Sequence, residues 1–168
     1  LKAERVNYYV EKYRINHLQG LPSQYQVMFR QTGADYSSVK FLVSGGDVLS
    51  ASLAEKINSG LRAGGSDAIV TNGYGMTEMG SCATCTFNQK MEGAGIPLFG
   101  NNVRITELGQ GEQELQVNQE GEIYLTGPAM MLGYYKREKE SQELFFTDDT
   151  GRRWIRTGDV GRVDENGN

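Results

Sequence analysis

The chain has 168 residues, 38% of them hydrophobic and 23% charged, and its 17 basic residues against 21 acidic ones give a net charge of −4. This composition is typical of a folded globular protein and lacks the basic excess of a nucleic-acid-binding domain. No apolar run approaches the roughly 20 residues of a membrane-spanning helix, and two cysteines are too few for a disulfide framework. We therefore expect a cytoplasmic globular protein with no membrane span and no nucleic-acid partner.

The first half of the sequence predicts alternating helices and strands. Apolar residues at helical spacing predict helices over 3–14 and 53–63, and Pro22 suits the first position of another helix. Ser52 and Glu55 match a capping box, which predicts that the helix over 53–63 begins there. Short apolar runs predict three strands, at 15–18, 39–43 and 68–71.

The strand–helix–strand unit over 39–71 predicts where a ligand binds. Its helix is long enough to cross over between two parallel strands, and parallel strands end at the same edge of a sheet. Because the Gly-rich loops at 44–48 and 72–78 follow these strands, we expect both loops at one edge. Open α/β sheets bind ligands at that edge, so the sequence predicts a small-molecule cleft there.

The pattern changes near Gly95, where apolar residues begin to alternate with polar ones. Alternation predicts short strands around 103–105, 115–117, 123–125, 154–156 and 160–163, separated by turns at 109–111 and 118–121. The charged run at 136–143 predicts an exposed helix. The expected fold is α/β: a partial parallel-sheet subdomain over residues 1–95, then a small, mainly antiparallel, barrel-like β subdomain over residues 96–168.

The run from Asn72 to Glu78 offers three chemical groups close together. Glycines on both sides of Tyr74 let the backbone approach a ligand, and the tyrosine ring offers a flat face for a purine. Thr77 supplies a hydroxyl for a phosphate oxygen, and Glu78 supplies a hard carboxylate for Mg²⁺. The alternative is a simple turn with Tyr74 packed inward, and the spacing alone leaves both interpretations open.

Two other positions also allow a functional and a structural interpretation. Asp159 follows a glycine turn and suits a ribose diol, or it bonds its own backbone as turn aspartates commonly do. Cys82 and Cys85 form a Cys-x-x-Cys pair, which suits dithiol redox chemistry or two small residues lining a core or pocket. Structural zinc needs four ligands, and beyond this pair the chain has only His17.

Four motifs and a linking stretch occur in a characteristic order. They are Ser44-Gly45-Gly46-Asp47, Gly73-Tyr74-Gly75-Met76-Thr77-Glu78, the linking stretch Gly93–Pro97, Gly121–Pro128 running on to Gly133-Tyr134-Tyr135, and Arg156-Thr157-Gly158-Asp159. In this order they resemble the acyl-adenylate-forming (AMP-binding) superfamily, which includes acyl-CoA synthetases, peptide synthetase adenylation domains and beetle luciferases. The run Met130–Lys136 is most similar to acyl-CoA synthetases.

The resemblance implies a role for each motif residue. Nucleotide-binding residues would be Gly45, Gly46, Asp47, Val48, Asn72, Gly73, Tyr74, Gly75, Met76, Thr77 and Asp159. Among these, Tyr74 would stack on adenine, Thr77 would contact the α-phosphate and Asp159 would bind the ribose. Glu78 would hold Mg²⁺ and, with Thr77, serve catalysis. Gly46, Gly80 and Cys82 would shape the carboxylate pocket.

The implied reaction joins a carboxylate to ATP, giving acyl-AMP and pyrophosphate, and then passes the acyl group to a thiol, coenzyme A. An adenylation domain that loads a carrier protein is the alternative within the superfamily, and a nucleotide-binding module without turnover is the alternative outside it. The superfamily's phosphate loop and its C-terminal domain with the catalytic lysine have no counterpart in this sequence. We therefore expect a central piece of a longer enzyme that is inactive by itself.

Overall fold

The computed structural model describes residues 3–31, 33–89, 93–109 and 113–168. Helices and strands follow in the order α1 (Ala3–Tyr13), β1 (His17–Gly20), α2 (Pro22–Met28), β2 (Phe41–Ser44), α3 (Ala51–Ala63), β3 (Val70–Tyr74), β4 (Thr84–Cys85), β5 (Ile96–Pro97), β6 (Asn102–Thr106), β7 (Gly121–Thr126), α4 (Glu138–Leu144), β8 (Phe145–Thr147) and β9 (Arg153–Gly161). A single 3₁₀ turn, Thr77–Met79, follows β3. The predicted α/β class is confirmed.

The chain forms two compact units. The first comprises Leu1–Tyr74 with Cys85–Ala94, and the second comprises Gly75–Thr84 with Gly95–Asn168. Within the described ranges, no helix is long and apolar enough to cross a membrane. The predicted domain boundary after residue 95 stays a prediction.

The first unit is built on parallel strands. β2 pairs with β1 on one side and β3 on the other, both in parallel, and the register places Ser44 opposite Gly20 and Asn72. Helix α3 connects β2 to β3. Its apolar residues Ile57 and Leu61 are fully buried in the core of this unit, as their helical spacing predicts. The predicted crossover between parallel strands is therefore confirmed.

Several predicted boundaries in this unit were wrong by a few residues. Strands β1, β2 and β3 begin at His17, Phe41 and Val70, whereas the sequence predicted starts at residues 15, 39 and 68. Helix α3 is capped by Ser50, whose Oγ accepts a hydrogen bond from the Leu53 amide, and not by Ser52. Strand β3 continues through Asn72, Gly73 and Tyr74, which the sequence placed in the following loop. The extension is stabilised because Asn72 exchanges hydrogen bonds with Thr86, through the Thr86 amide at 3.0 Å and the Thr86 hydroxyl at 2.9 Å.

The second unit contains a four-stranded antiparallel sheet in the order β6-β7-β9-β8. The two strands predicted at 154–156 and 160–163 are one continuous strand, β9, whose pairing with β7 shifts register between Glu122 and Tyr124. The alternation at 115–117 yields no named strand among the described residues, only an isolated bridge between Thr106 and Glu114. Two residues of the predicted turn at 109–111 lie outside the described ranges.

Candidate functional site

Three strand ends meet at one edge of the first unit. The Gly45 amide donates a hydrogen bond to the Gly20 carbonyl at 3.2 Å, which joins the ends of β1 and β2. A Cβ atom added to Gly45 would lie only 3.3 Å from the Gly73 carbonyl oxygen, so the ends of β2 and β3 approach closely. The carboxyl ends of these parallel strands therefore converge, as the sequence predicts.

The loop after β2 presents backbone and an apolar side chain to solvent. Gly46 has a φ of +76°, a conformation that side-chain-bearing residues rarely adopt. The Val48 amide donates to the carboxylate of the neighbouring Asp47 at 2.8 Å, and the Val48 side chain is 85% exposed. This loop therefore leaves an accessible surface at the carboxyl edge of β2.

Asn72 and Tyr74 occupy the end of β3. The Asn72 side-chain amide donates to the Gly93 carbonyl at 2.8 Å, which fixes its orientation. Asn72 also lines a cavity of about 540 Å³, together with Leu49, Ala54, Asn58, Val70 and Thr86. Pockets for small ligands commonly have volumes of roughly 300–1,000 Å³. Tyr74 is half-buried, so both interpretations of its ring stay open.

The segment after β3 belongs to the second unit and folds back tightly on itself. A Cβ atom on Gly75 would overlap the Ser81 carbonyl oxygen and lie 2.7 Å from the Ala83 amide nitrogen, so only glycine fits there. Met79, 1% exposed, anchors the 3₁₀ turn in the interior. Met76 is half-buried before the turn, whereas Thr77 is exposed on it.

Glu78 is held by two hydrogen bonds from one nearby segment. The Met131 amide donates to the Glu78 carbonyl at 2.8 Å, and the Tyr134 hydroxyl donates to Glu78 Oε1 at 2.5 Å. The bond to Glu78 raises the pKa of Tyr134, because the phenol must keep its proton to donate. The turn therefore presents an oriented, half-buried carboxylate.

Asp159 lies on an ordered, exposed part of β9. Its amide donates to the Thr157 hydroxyl at 3.0 Å, and that hydroxyl donates to the Ile123 carbonyl of β7 at 2.7 Å. Between them, Gly158 has a φ of +74° and its amide donates to the Glu122 carboxylate at 3.2 Å. The backbone of the Arg-Thr-Gly-Asp run is thus fixed against β7, and the Asp159 side chain lies at the surface.

Tyr134 connects two of the motifs in the second unit, a role the sequence did not reveal. Besides its bond to Glu78, it lines a shallow cavity of about 450 Å³ together with Arg156, Thr157 and Gly158. The only sequence signal was its place in the run Gly133-Tyr134-Tyr135, which the resemblance included without giving a role to any of the three. The structure thus places Tyr134 next to Glu78 through this hydrogen bond and next to Thr157 in the cavity.

Cys82 and Cys85 are not joined by a disulfide. The half-buried Cys82 donates from Sγ to the Thr84 carbonyl at 3.0 Å. Burial raises the pKa of the Cys85 thiol, which disfavours the thiolate needed for disulfide exchange. Gly80, which was predicted with Gly46 and Cys82 to shape the carboxylate pocket, has a φ of +76°, and a Cβ atom there would lie 2.9 Å from the Ala129 carbonyl oxygen.

The donor set around Glu78 fits a magnesium ion shared with a nucleotide. In the described part of the chain, no group of three His, Cys, Asp or Glu residues is placed to hold a metal by itself. Mg²⁺ is commonly bound by one or two carboxylates plus substrate phosphates, so it needs no protein cage. Glu78, with the Thr77 hydroxyl beside it in the chain, provides that kind of partial site.

Known proteins resemble this chain over most of its length. A feruloyl-CoA synthase of Amycolatopsis sp is 31% identical over 166 residues, covering 94% of this chain and 31% of that protein. The nonribosomal peptide synthetase apvA of Aspergillus terreus is 29% identical over 145 residues, covering 79% of this chain and 15% of that protein. The crystal structure of a long-chain-fatty-acid-CoA ligase, FadD1 of Archaeoglobus fulgidus, superposes with a TM-score of 0.86 and 29% identity, covering 98% of this chain and 35% of that one.

These proteins are much longer than this chain, which spans less than a third of the feruloyl-CoA synthase. The family described as AMP-binding enzyme matches residues 1–135. Because this match includes most of the chain, the chain belongs to the AMP-binding enzyme family.

Proposed function

We propose that the whole protein is an AMP-forming acid–thiol ligase, which activates a carboxylate with ATP and passes the acyl group to coenzyme A. One observation carries this proposal: in a member of the AMP-binding family, the run Gly73–Glu78 ends in a carboxylate that its surroundings hold in place. The feruloyl-CoA synthase and the fatty-acid-CoA ligase among the similar proteins support a thiol acceptor of the coenzyme A type.

Residues 45–48 and 72–74 contact the base of the nucleotide in this proposal. The exposed loop at Gly45–Val48 and the ring of Tyr74 contact adenine, and the cavity beside Asn72 offers room for it. The oriented Asn72 amide suits the hydrogen-bonding edge of a purine. Gly73 adds no side chain where the strands converge, which keeps the backbone accessible.

Asp159, Thr77 and Glu78 contact the ribose, the α-phosphate and the metal ion in this proposal. Asp159 accepts hydrogen bonds from the ribose hydroxyls, for which its position on a fixed, exposed segment is well suited. Gly75 and Met76 bring the exposed Thr77 hydroxyl to the α-phosphate. Glu78 holds Mg²⁺, which supplies charge neutralisation for the phosphate oxygens when bound. Displacement at phosphorus depends mainly on such positioning and charge stabilisation.

The carboxylate substrate lies near Gly46, Gly80 and Cys82 in this proposal. Each of these residues is small, and the thiol of the half-buried Cys82 donates to the Thr84 carbonyl, so each would leave room for the acid and offer it no charged group. The substrate is an organic acid, with fatty acids as one class, and the enzyme acts in the cytoplasm.

A carrier-protein acceptor is the second candidate, because the similar proteins include a nonribosomal peptide synthetase. The two candidates share the adenylation step and differ only in the thiol that accepts the acyl group. Transfer to free coenzyme A supports the first, and transfer only to a phosphopantetheine-bearing carrier supports the second.

The test uses the full-length protein. Exchange of labelled pyrophosphate into ATP is measured with Mg²⁺ and a panel of aromatic and aliphatic acids, and coenzyme A is then added to follow thioester formation. We expect exchange that depends on one class of acid, followed by acyl-CoA. Absence of acid-dependent exchange across the panel, from protein that still binds ATP, would leave a nucleotide-binding module without turnover and contradict the proposal.

A further inference from the structure

The segment 129–134 contacts the turn that carries Glu78 at three points. At Gly80 the two segments approach so closely that an added Cβ atom would lie 2.9 Å from the Ala129 carbonyl oxygen. The Met131 amide bonds the Glu78 carbonyl, and the Tyr134 hydroxyl bonds the Glu78 carboxylate. One segment therefore fixes both the backbone and the side chain of Glu78.

Tyr134 is itself held in place from two directions. Its amide donates to the Ser141 hydroxyl of α4 at 2.9 Å. From β9, one nitrogen of Arg153 donates to the carbonyl oxygens of Met131 and Leu132, at 2.9 and 2.7 Å. The Arg153 guanidinium also stacks 3.6 Å from the centre of the Phe145 ring. The phenol that reaches Glu78 therefore extends from a segment anchored to both a helix and a strand.

We propose that Tyr134 is a positioning residue, which pre-orients the Glu78 carboxylate to bind a divalent cation together with the nucleotide phosphates. This inference rests on the proposed function. A carboxylate has about four lone-pair sites on its two oxygens, so the bond to Tyr134 at Oε1 leaves capacity for a cation. In the described part of the chain, Tyr134 is the one side chain that donates to this carboxylate. Hydrogen bonds to metal ligands typically change metal affinity by about 10- to 100-fold.

The experiment separates metal binding from nucleotide binding in the full-length protein. Calorimetry gives the dissociation constant of α,β-methylene-ATP, which is not cleaved, once with Mg²⁺ and once with EDTA, and the ratio measures the gain from the metal. We expect Tyr134→Phe to reduce this gain about tenfold and to leave the constant in EDTA unchanged. The control is Tyr135→Phe, which removes the same hydroxyl from a neighbour that is 85% exposed, and it should match the wild type.

A double variant distinguishes positioning from a general loss of structure. Glu78→Gln should abolish the gain from Mg²⁺, and adding Tyr134→Phe should then change nothing further, because its target is gone. A double variant that binds the analogue with Mg²⁺ more weakly than Glu78→Gln alone overturns the positioning role. A Tyr134→Phe protein with the wild-type gain from Mg²⁺ also overturns it. Either result leaves the proposed function intact. A wild-type protein that binds the analogue equally well with and without Mg²⁺ overturns both the metal site and this inference.

Discussion

The two units hold their candidate residues by different means. In the first unit the backbone holds them. The Gly45 amide bonds the Gly20 carbonyl, Gly45 lies against Gly73, and the strand register fixes the position of Asn72. In the second unit side chains do it, since a tyrosine hydroxyl holds Glu78 and other side chains hold the Arg-Thr-Gly-Asp run. A backbone-built edge, as in the first unit, is disrupted by a substitution that adds atoms. A side-chain-built site, as in the second unit, is disrupted by a substitution that removes one polar atom.

The largest expected effect tests the side-chain-built part. Glu78→Gln in the full-length protein keeps the volume and removes the charge, so acid-dependent pyrophosphate exchange should fall by at least about 100-fold, the upper end of what weaker perturbations of metal ligands cause. Raising the Mg²⁺ concentration should restore part of the activity, because the lost group is a ligand of the ion. The control is Glu138→Gln, an exposed residue of α4, which should leave the exchange rate unchanged. Undiminished exchange by the Glu78→Gln variant would remove this carboxylate from the metal site.

Asp159 should give a smaller effect of another kind. Because the Asp159 side chain is exposed and the backbone around it is fixed by Thr157, Asp159→Ala should leave the fold intact and remove the carboxylate that contacts the nucleotide. Hydrogen bonds to charged groups contribute about 1.5–3 kcal/mol, so the KM for ATP should rise about tenfold or more at nearly constant kcat. Asp149→Ala, an exposed aspartate in the turn before β9, serves as the control. A KM for ATP equal in both variants would exclude Asp159 from the site.

A glycine pair tests the backbone-built edge. Gly46 and Gly33 both have a positive φ, of +76° and +85°, so an alanine at either position should cost about 1–2 kcal/mol of stability. A Cβ atom on Gly46 would also lie 3.0 Å from Leu21, whereas one on Gly33 would meet nothing within 4 Å. Urea unfolding should show similar losses for both variants, but only Gly46→Ala should raise the KM for ATP, by a few-fold. An unchanged KM in the Gly46→Ala variant would argue against a nucleotide contact by this loop.

The two kinds of construction also differ in how well the sequence predicts them. The parallel crossover and the convergence of its strand ends follow from local signals, namely the apolar spacing in α3 and the glycines near the ends of β2 and β3. The bond between Tyr134 and Glu78 joins residues 56 positions apart, and no periodicity or turn pattern carries that information. The resemblance placed both residues in motifs, but only the structure shows that the Tyr134 hydroxyl bonds the Glu78 carboxylate.

Local errors have a similar cause. Ser50 and Ser52 are both suitable residue types for a helix cap, and Ser50 has the extended backbone that an N-cap requires, with φ −69° and ψ 148°. Strand β3 extends to Tyr74 because Thr86, far along the chain, supplies hydrogen bonds to Asn72. The glycines that mark Gly73–Gly75 as a loop serve close packing instead, since Gly75 lies against Ser81 and Ala83.

The smallest expected effect concerns acid stability of the side-chain-built unit. Asp148 lies before β9, and its carboxylate accepts hydrogen bonds from the Thr150 hydroxyl at 2.6 Å and the Trp154 indole at 2.9 Å. These bonds hold the pKa of Asp148 well below its usual value, and the bond from Thr150 has the largest effect. A carboxyl group with a lowered pKa in the folded state stabilises the fold above its unfolded pKa of about 3.9. That stabilisation is lost as the pH falls from there through the lower folded pKa.

The urea midpoint of the wild-type protein should therefore decline as the pH falls below about 4, and Asp148→Asn should decline less over the same range while being less stable at neutral pH. Asp149→Asn is the matched control, because its exposed carboxyl group is the next in the same turn and should leave the pH dependence as in the wild type. If Asp148→Asn instead follows the wild-type curve throughout, the hydrogen bonds to Thr150 and Trp154 contribute nothing to the fold in solution. The stability of the second unit would then depend on backbone pairing, as that of the first unit does. The contrast between the two units would be confined to the bond between Glu78 and Tyr134.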